Sequence, residues 1–300
     1  MQVTAESNYI RIGYYSAWEI TRSGERIMKW VLRIFGGLLG LLVLILATAY
    51  VTSWFKLQKQ FEPEADTFVA STGHDLDEAL RVSRIMGCAG DCHGKDLGGN
   101  VLVDIPMVVR IAPPSLSKAA REMTDAEFER AVRQGIKTDG GSILIMPSQV
   151  YHPMTDDHLS MILELARSTP LVDHGYDGVG LKPVASIMLA LGKVPLIADE
   201  VERKARITDP YADPETTGEY FAASCRACHG SDLRGKESEG APDMRVLAAY
   251  DRDDFEVLMR EGIGVGGREL DPMMKSNSLE HFQYFTDYEL DALYEYLRKQ

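Results

Sequence analysis

Two stretches of this 300-residue chain carry the same features in the same order, so the fold must be built largely from two copies of one unit. The first contains Cys88-Ala89-Gly90-Asp91-Cys92-His93-Gly94-Lys95-Asp96-Leu97-Gly98-Gly99. The second contains Cys225-Arg226-Ala227-Cys228-His229-Gly230-Ser231-Asp232-Leu233-Arg234-Gly235. Downstream, TDAEFERAVRQGI (124–136) answers DRDDFEVLMREGI, which ends at Ile263, and TDDHLSMILELARS (155–168) answers TDYELDALYEYLRK (286–299). Helices are predicted to begin at Thr124 or near Asp253, at Thr155 and at Thr286, with acidic residues in the first turn. Leu159, Ile162 and Leu163, like Leu290, Leu293 and Leu297, recur at helical spacing. No run alternates as a strand would, so the expected fold class is all-α.

The N-terminal part is of a different kind. Residues 34–55, IFGGLLGLLVLILATAYVTSWF, hold no charge, and as a helix they span about 33 Å, enough to cross a bilayer. Trp30, Tyr50 and Trp54 flank the apolar run as interfacial rings do. Arg22, Arg26, Lys29 and Arg33 precede it, whereas only Lys56 and Lys59 follow closely, which orients residues 1–33 to the cytoplasm and everything after 55 outside. Ala47-Thr48-Ala49 resembles a signal-peptidase site, but the apolar run continues to Phe55, which favours an uncleaved anchor in the inner membrane. The expected organisation is a cytoplasmic segment (1–33), a transmembrane anchor (34–55), a polar tether (56–74), a first domain (75–168), a linker (169–204) and a second domain (205–300). Within the linker, the apolar stretch Val184–Leu191 is too short to span a bilayer and is expected to pack against a domain. Beyond residue 55 the balance is 27 basic against 42 acidic residues, which excludes the basic face that a nucleic-acid binder needs.

All four cysteines lie in the two repeated motifs, and a histidine follows each pair. Cys-x-x-Cys-His is the attachment signature of covalent haem. Two thiols add across the porphyrin vinyl groups, and the adjacent histidine lies under the iron as proximal ligand. Cys225, Cys228 and His229 fit this spacing, and a redox disulfide or half of a zinc site are the rival readings. Cys88 and Cys92 are separated by three residues, so the peptide must bulge before His93 can take the same place; Gly90 supplies the conformational freedom for it. Two covalent haems are expected, with a single thioether or incomplete loading as alternatives in the first copy. A soft thioether sulfur as the sixth ligand favours reduced iron. Met146, before Pro147, is the candidate in the first copy, with Met154 its rival. In the second, Met274 is preferred to Met273 because Leu270-Asp271-Pro272-Met273-Met274 then reads Leu-x-Pro-x-Met. His74, His152, His158, His174 and His281 do not recur between the copies and are expected to be surface or packing residues.

On these residues the chain resembles the bacterial class I cytochrome c family, as a tandem two-domain member, over about 75–168 and 205–300. It is also similar to the cytochrome subunits of membrane-bound bacterial dehydrogenases. The resemblance implies a short helix before each cysteine pair, here Asp77–Met86 and Pro214–Ala223, and a C-terminal helix packed on it. It also implies that Pro114 and Pro242 offer their carbonyls to the proximal histidines. The widened Cys88–Cys92 motif, and Lys275 where a proline commonly follows the methionine, depart from the family pattern.

The function expected from this is electron transfer rather than catalysis, since iron ligated on both faces has no open site. A dehydrogenase or a quinol-oxidising complex is the expected donor, and an oxidase or a soluble cytochrome the expected acceptor. A di-haem peroxidase is the alternative and would need a displaceable ligand with an acid/base residue above it. A haem sensor is disfavoured because residues 1–33 are too few for an output domain.

Overall fold

The computed structural model describes residues 17–65, 67–203, 206–236 and 240–300, with side chains from Arg26 onward. Residues 1–16 of the expected cytoplasmic segment, and positions 204 and 205 at the expected linker boundary, lie outside the described residues. The chain divides into two compact units, one ending at Val51 and the other running from Thr52 to Gln300. Helix α1 (Ala17–Leu57) extends beyond the predicted span at both ends. The most apolar part of its Arg26–Leu57 stretch has a mean hydropathy of 2.4 and is not buried, so by length and composition this helix can cross a membrane.

The second unit is mostly helical. In chain order it contains α2 (Leu76–Ile85), β1 (Val103–Ile105), β2 (Val109–Ala112), α3 (Leu116–Glu122), α4 (Asp125–Gln134), α5 (Ser148–Tyr151) and α6 (Asp156–Ser168). There follow β3 (Gly178–Leu181), α7 (Pro183–Ala190), α8 (Ile197–Glu200), α9 (Pro214–His229), α10 (Arg252–Glu261), β4 (Ile263–Gly264), β5 (Arg268–Glu269), α11 (Pro272–Glu280) and α12 (Asp287–Leu297). Thr124, Thr155 and Thr286 cap α4, α6 and α12 as predicted, the first and last as full capping boxes with Glu127 and Glu289. The remaining helix, α10, starts near Asp253 as predicted and is capped by Asp251, whose carboxylate accepts the Asp254 amide. α2 packs on α6 and α9 on α12, each pair enclosing its own apolar core. Val82, Phe128, Leu159 and Leu163 lie in the first core, and Phe221, Phe255, Leu290 and Leu293 in the second.

The all-α expectation is corrected by two small sheets. β1, β2 and β3 form an antiparallel sheet in that order, with Val103 opposite Ile111 and Ile111 opposite Val179. β4 and β5 form a separate two-residue ladder. Strands of two to four residues are too short for a period-two pattern to stand out. The linker therefore contributes β3 to the first copy's sheet. The tether is also engaged: Phe68 is buried in the first core, and the Ala70 amide donates to Asp125 at 2.9 Å.

The two copies share a buried seam. Ile85, the last residue of α2, belongs to the second core, and Met86 packs against both. Arg81 of α2 reaches Glu289 of α12 with two hydrogen bonds, at 2.7 and 3.0 Å, and donates to the Tyr284 carbonyl at 3.0 Å. The Glu289 side chain is 1% exposed and also accepts from Tyr211 at 2.6 Å. Tyr220 of α9 hydrogen-bonds His158 of α6 at 2.8 Å, and the His281 imidazole bonds the Arg84 carbonyl at 2.9 Å. His158 and His281 are thus packing residues of the seam.

Burial alone would raise the Glu289 pKa, but hydrogen bonds from Arg81, Tyr211 and the Thr286 amide hold it below the ordinary carboxylate value. Its contribution to stability is complete above the unfolded-chain carboxylate pKa, about 4.3, and is lost as pH falls through the lower folded value. Arg81→Met should cost about 3 kcal/mol by leaving Glu289 buried without its cation. Urea unfolding is expected to show this loss at neutral pH, with the difference between wild type and variant shrinking as Glu289 protonates in acid.

Candidate haem-binding sites

In the second copy the whole motif lies on a helix. α9 runs through His229, so Cys225, Cys228 and His229 stand at i, i+3 and i+4 on one face. A regular helix could not do this for the first copy. Five steps from Cys88 to His93 would turn His93 about 140° away from Cys88. Instead α2 stops at Ile85 and the motif lies in turns. The His93 amide bonds back to the Cys88 carbonyl at 3.1 Å, a five-residue step that absorbs the extra residue, and Gly90 takes φ 110°. The predicted bulge is therefore present, with Gly90 at its positive-φ position.

After the histidine the two copies converge. The Gly99 amide donates to the His93 carbonyl at 2.9 Å and the Gly235 amide to the His229 carbonyl at 2.7 Å. Leu97 and Leu233 both adopt positive φ, 57° and 61°, an uncommon conformation for a branched side chain, and both are buried. Asp96 and Asp232 each accept the amide two residues on, at 3.0 and 3.1 Å. Leu97 then receives the Leu116 amide and Leu233 the Met244 amide, each at 2.9 Å, which draws the following segment back over the loop. A Cβ on Gly99 would come within 2.9 Å of the Pro113 carbonyl oxygen, and one on Gly235 within 2.7 Å of the Ala241 oxygen. Only glycine permits that approach.

This loop places a proline carbonyl against each histidine. His93 Nδ1 lies 2.8 Å from the Pro114 oxygen, and His229 Nδ1 lies 2.8 Å from the Pro242 oxygen. A carbonyl only accepts, so Nδ1 carries the proton and Nε2 keeps its lone pair. Burial, only partly opposed by the Pro114 hydrogen bond, lowers the His93 pKa, so this half-buried ring is neutral at neutral pH. Both histidines thus present the tautomer that a metal accepts.

The thiols suit thioether formation better than the rival chemistries. All four cysteines are half-buried thiols. Burial pushes the Cys88 thiol up to about 12 and the Cys225 thiol to about 11, where little thiolate is present for disulfide exchange. Among the described residues, no three His, Cys, Asp or Glu side chains converge as a zinc site requires. Cys88 and Met146 pack against the first core, and Cys225 and Met274 against the second. Met154 is 2% exposed within the first core, and Met273 is 61% exposed. The donor set in each copy, two thiols, an imidazole with free Nε2 and a half-buried thioether beside the same core, fits a haem.

Residues 217–300 match the family model of cytochrome c. Over these residues the second copy is similar to cytochrome c, a domain type that carries covalently bound haem c. The chain is also homologous to cytochrome subunits of dehydrogenases. It is 27% identical over 245 residues to the fructose dehydrogenase cytochrome subunit of Gluconobacter japonicus, a match covering 70% of this chain and 49% of that protein. It is 25% identical over 281 residues to the alcohol dehydrogenase (quinone) cytochrome c subunits of Gluconacetobacter polyoxogenes and Komagataeibacter europaeus, covering 79% of this chain and 57% of each. The chain thus spans about half the length of the curated relatives it matches.

Sequence reading missed the roles of Leu97, Leu233, Gly99 and Gly235, although the repeated Asp-Leu-x-Gly carries the signal. Gly90→Ala meets open space, so it should cost only backbone strain, about 1–3 kcal/mol. Gly99→Ala and Gly235→Ala add a backbone collision and should cost more. Urea unfolding of the three variants is expected to separate them in that order.

Proposed function

We propose that this chain is a membrane-anchored di-haem c-type cytochrome, carrying electrons outside the cytoplasm between a dehydrogenase and a respiratory acceptor. The observation that carries the reading is the paired histidine–proline geometry: two motifs of different spacing end in the same 2.8 Å bond. A haem c supplies a reversible one-electron iron couple when bound. The residues that would hold the first are Cys88, Cys92, His93 and Met146, and those for the second Cys225, Cys228, His229 and Met274. Pro114 and Pro242 orient the histidines. A methionine packed beside each core leaves the peroxidase alternative without a side chain to act above an open face. Homology to dehydrogenase cytochrome subunits supports a dehydrogenase as donor, with an oxidase or a soluble cytochrome receiving the electron. The chain's acidic excess keeps it soluble in the first place and also suits a basic docking face on such a partner. α1 would keep the carrier beside membrane partners at raised effective concentration.

Intact mass of the denatured protein together with a haemochrome spectrum should give two haems per chain. One haem would leave the first copy unloaded, and none would overturn the reading. Peroxide should be neither consumed nor able to change the oxidised spectrum; turnover would favour the peroxidase. Met274→Ala should abolish the sulfur-to-iron band of the second haem and lower its potential, whereas Met273→Ala should leave both unchanged.

A further inference from the structure

α7 is apolar on both faces. None of its eight residues is charged; Ala185, Ser186 and Leu189 are buried, while Val184 and Met188 are 41% and 40% exposed. Leu191, just past the helix end, is 69% exposed and continues the same stripe, since 184, 188 and 191 are spaced four and three residues apart. The turn between β1 and β2 extends the patch. Ile105 and Met107 are 48% and 62% exposed, and the Val184 amide donates to the Met107 carbonyl at 3.0 Å. A helix apolar all round belongs in a core or against lipid, and a contiguous patch of large apolar side chains marks a contact surface.

Lys56 indicates which. Its Nζ donates to the carbonyls of Leu189 and Ala190 at 2.9 and 3.1 Å, at the C-terminal end of α7. Lys56 is in the last turn of α1, beside Trp54 and Phe55, which are 52% and 64% exposed. Where α1 spans a bilayer, covalent continuity sets these rings at its surface, and Lys56 fixes the end of α7 at the same level. Lys193, exposed just beyond α7, adds a positive charge of the kind that anionic headgroups attract, whereas Lys182 and Lys59 are occupied by Asp104 and Asp199.

We propose that α7 and the β1–β2 turn form a second membrane contact, lying in the interfacial layer and holding the unit 52–300 in one orientation over the bilayer. The proposal rests on the reading of α1 as an uncleaved anchor. The test uses the full haem-loaded chain in vesicles of zwitterionic and anionic phospholipid, with photoreactive benzoylphenylalanine replacing Met107, Met188, Leu191 or, as a control, the exposed Tyr288. Carbonate extraction of the same vesicles reports on α1 separately. The expected result is carbonate-resistant protein that forms phospholipid adducts from 107, 188 and 191 and none from 288. Carbonate-resistant protein without adducts at the three positions, or with equal adducts at 288, overturns the second contact and leaves the anchor standing. Release by carbonate removes the anchor reading and this proposal with it.

Discussion

The hydrogen bond between each histidine and its proline carbonyl is the constraint around which both copies are organised. For the carbonyl to lie 2.8 Å from Nδ1, the segment after the loop must return across it within van der Waals contact. That return requires glycine at 99 and 235 and the positive-φ leucines whose carbonyls receive Leu116 and Met244. The strained leucines are held by burial and by hydrogen bonds on both sides, which is how costly backbone conformations persist. Two copies that differ in the spacing of their cysteines have kept this loop nearly superimposable in its bonding, so the histidine tautomer is what the loop is built to hold.

The cysteine end of each site is less constrained. A step of three from cysteine to cysteine lets α9 carry the second motif as continuous helix, and a step of four forces the first into turns. The cost of the wider motif is local, and it is met by Gly90 and by the five-residue backbone bond at His93. Attachment chemistry can accommodate either path because a thioether tether needs reach rather than one backbone conformation, whereas an imidazole directed at a metal needs orientation.

Much of this was legible in the sequence. The helix caps at Thr124, Thr155 and Thr286 follow from hydroxyl-then-acid patterns that act within one turn, and such local signals survive into the fold. The His–Pro pairing came from family resemblance, since nothing in a linear sequence says that residues 93 and 114 meet. The exposure that separates Met273 from Met274 depends on where α11 lies against its core. The sheets were not legible: β2 finds its partner β3 only because the linker folds back over 66 residues, from 112 to 178, and four-residue strands carry no pattern of their own. Likewise Phe68, in a segment read as a polar tether, is one apolar residue whose burial depends on the groove it meets.

The seam between the copies explains why 52–300 is one unit rather than two beads on a linker. Ile85, the last residue of α2, completes the core of the other copy, and Met86 packs against both cores. The Arg81–Glu289 pair at the same seam is a poor device for stability as such, because desolvating both charges offsets most of their attraction. Its value lies in geometry. Glu289 is simultaneously the capping-box acid of α12 and the acceptor for Arg81 and Tyr211, so the start of that helix, the seam and α2 are all tied to one carboxylate. Sliding one copy along the other by a helical turn would strand that charge in an apolar environment, a penalty far larger than any apolar mismatch. An apolar seam alone would tolerate several registers; one buried carboxylate with three donors selects a single one, and so fixes how the two histidine loops stand to each other.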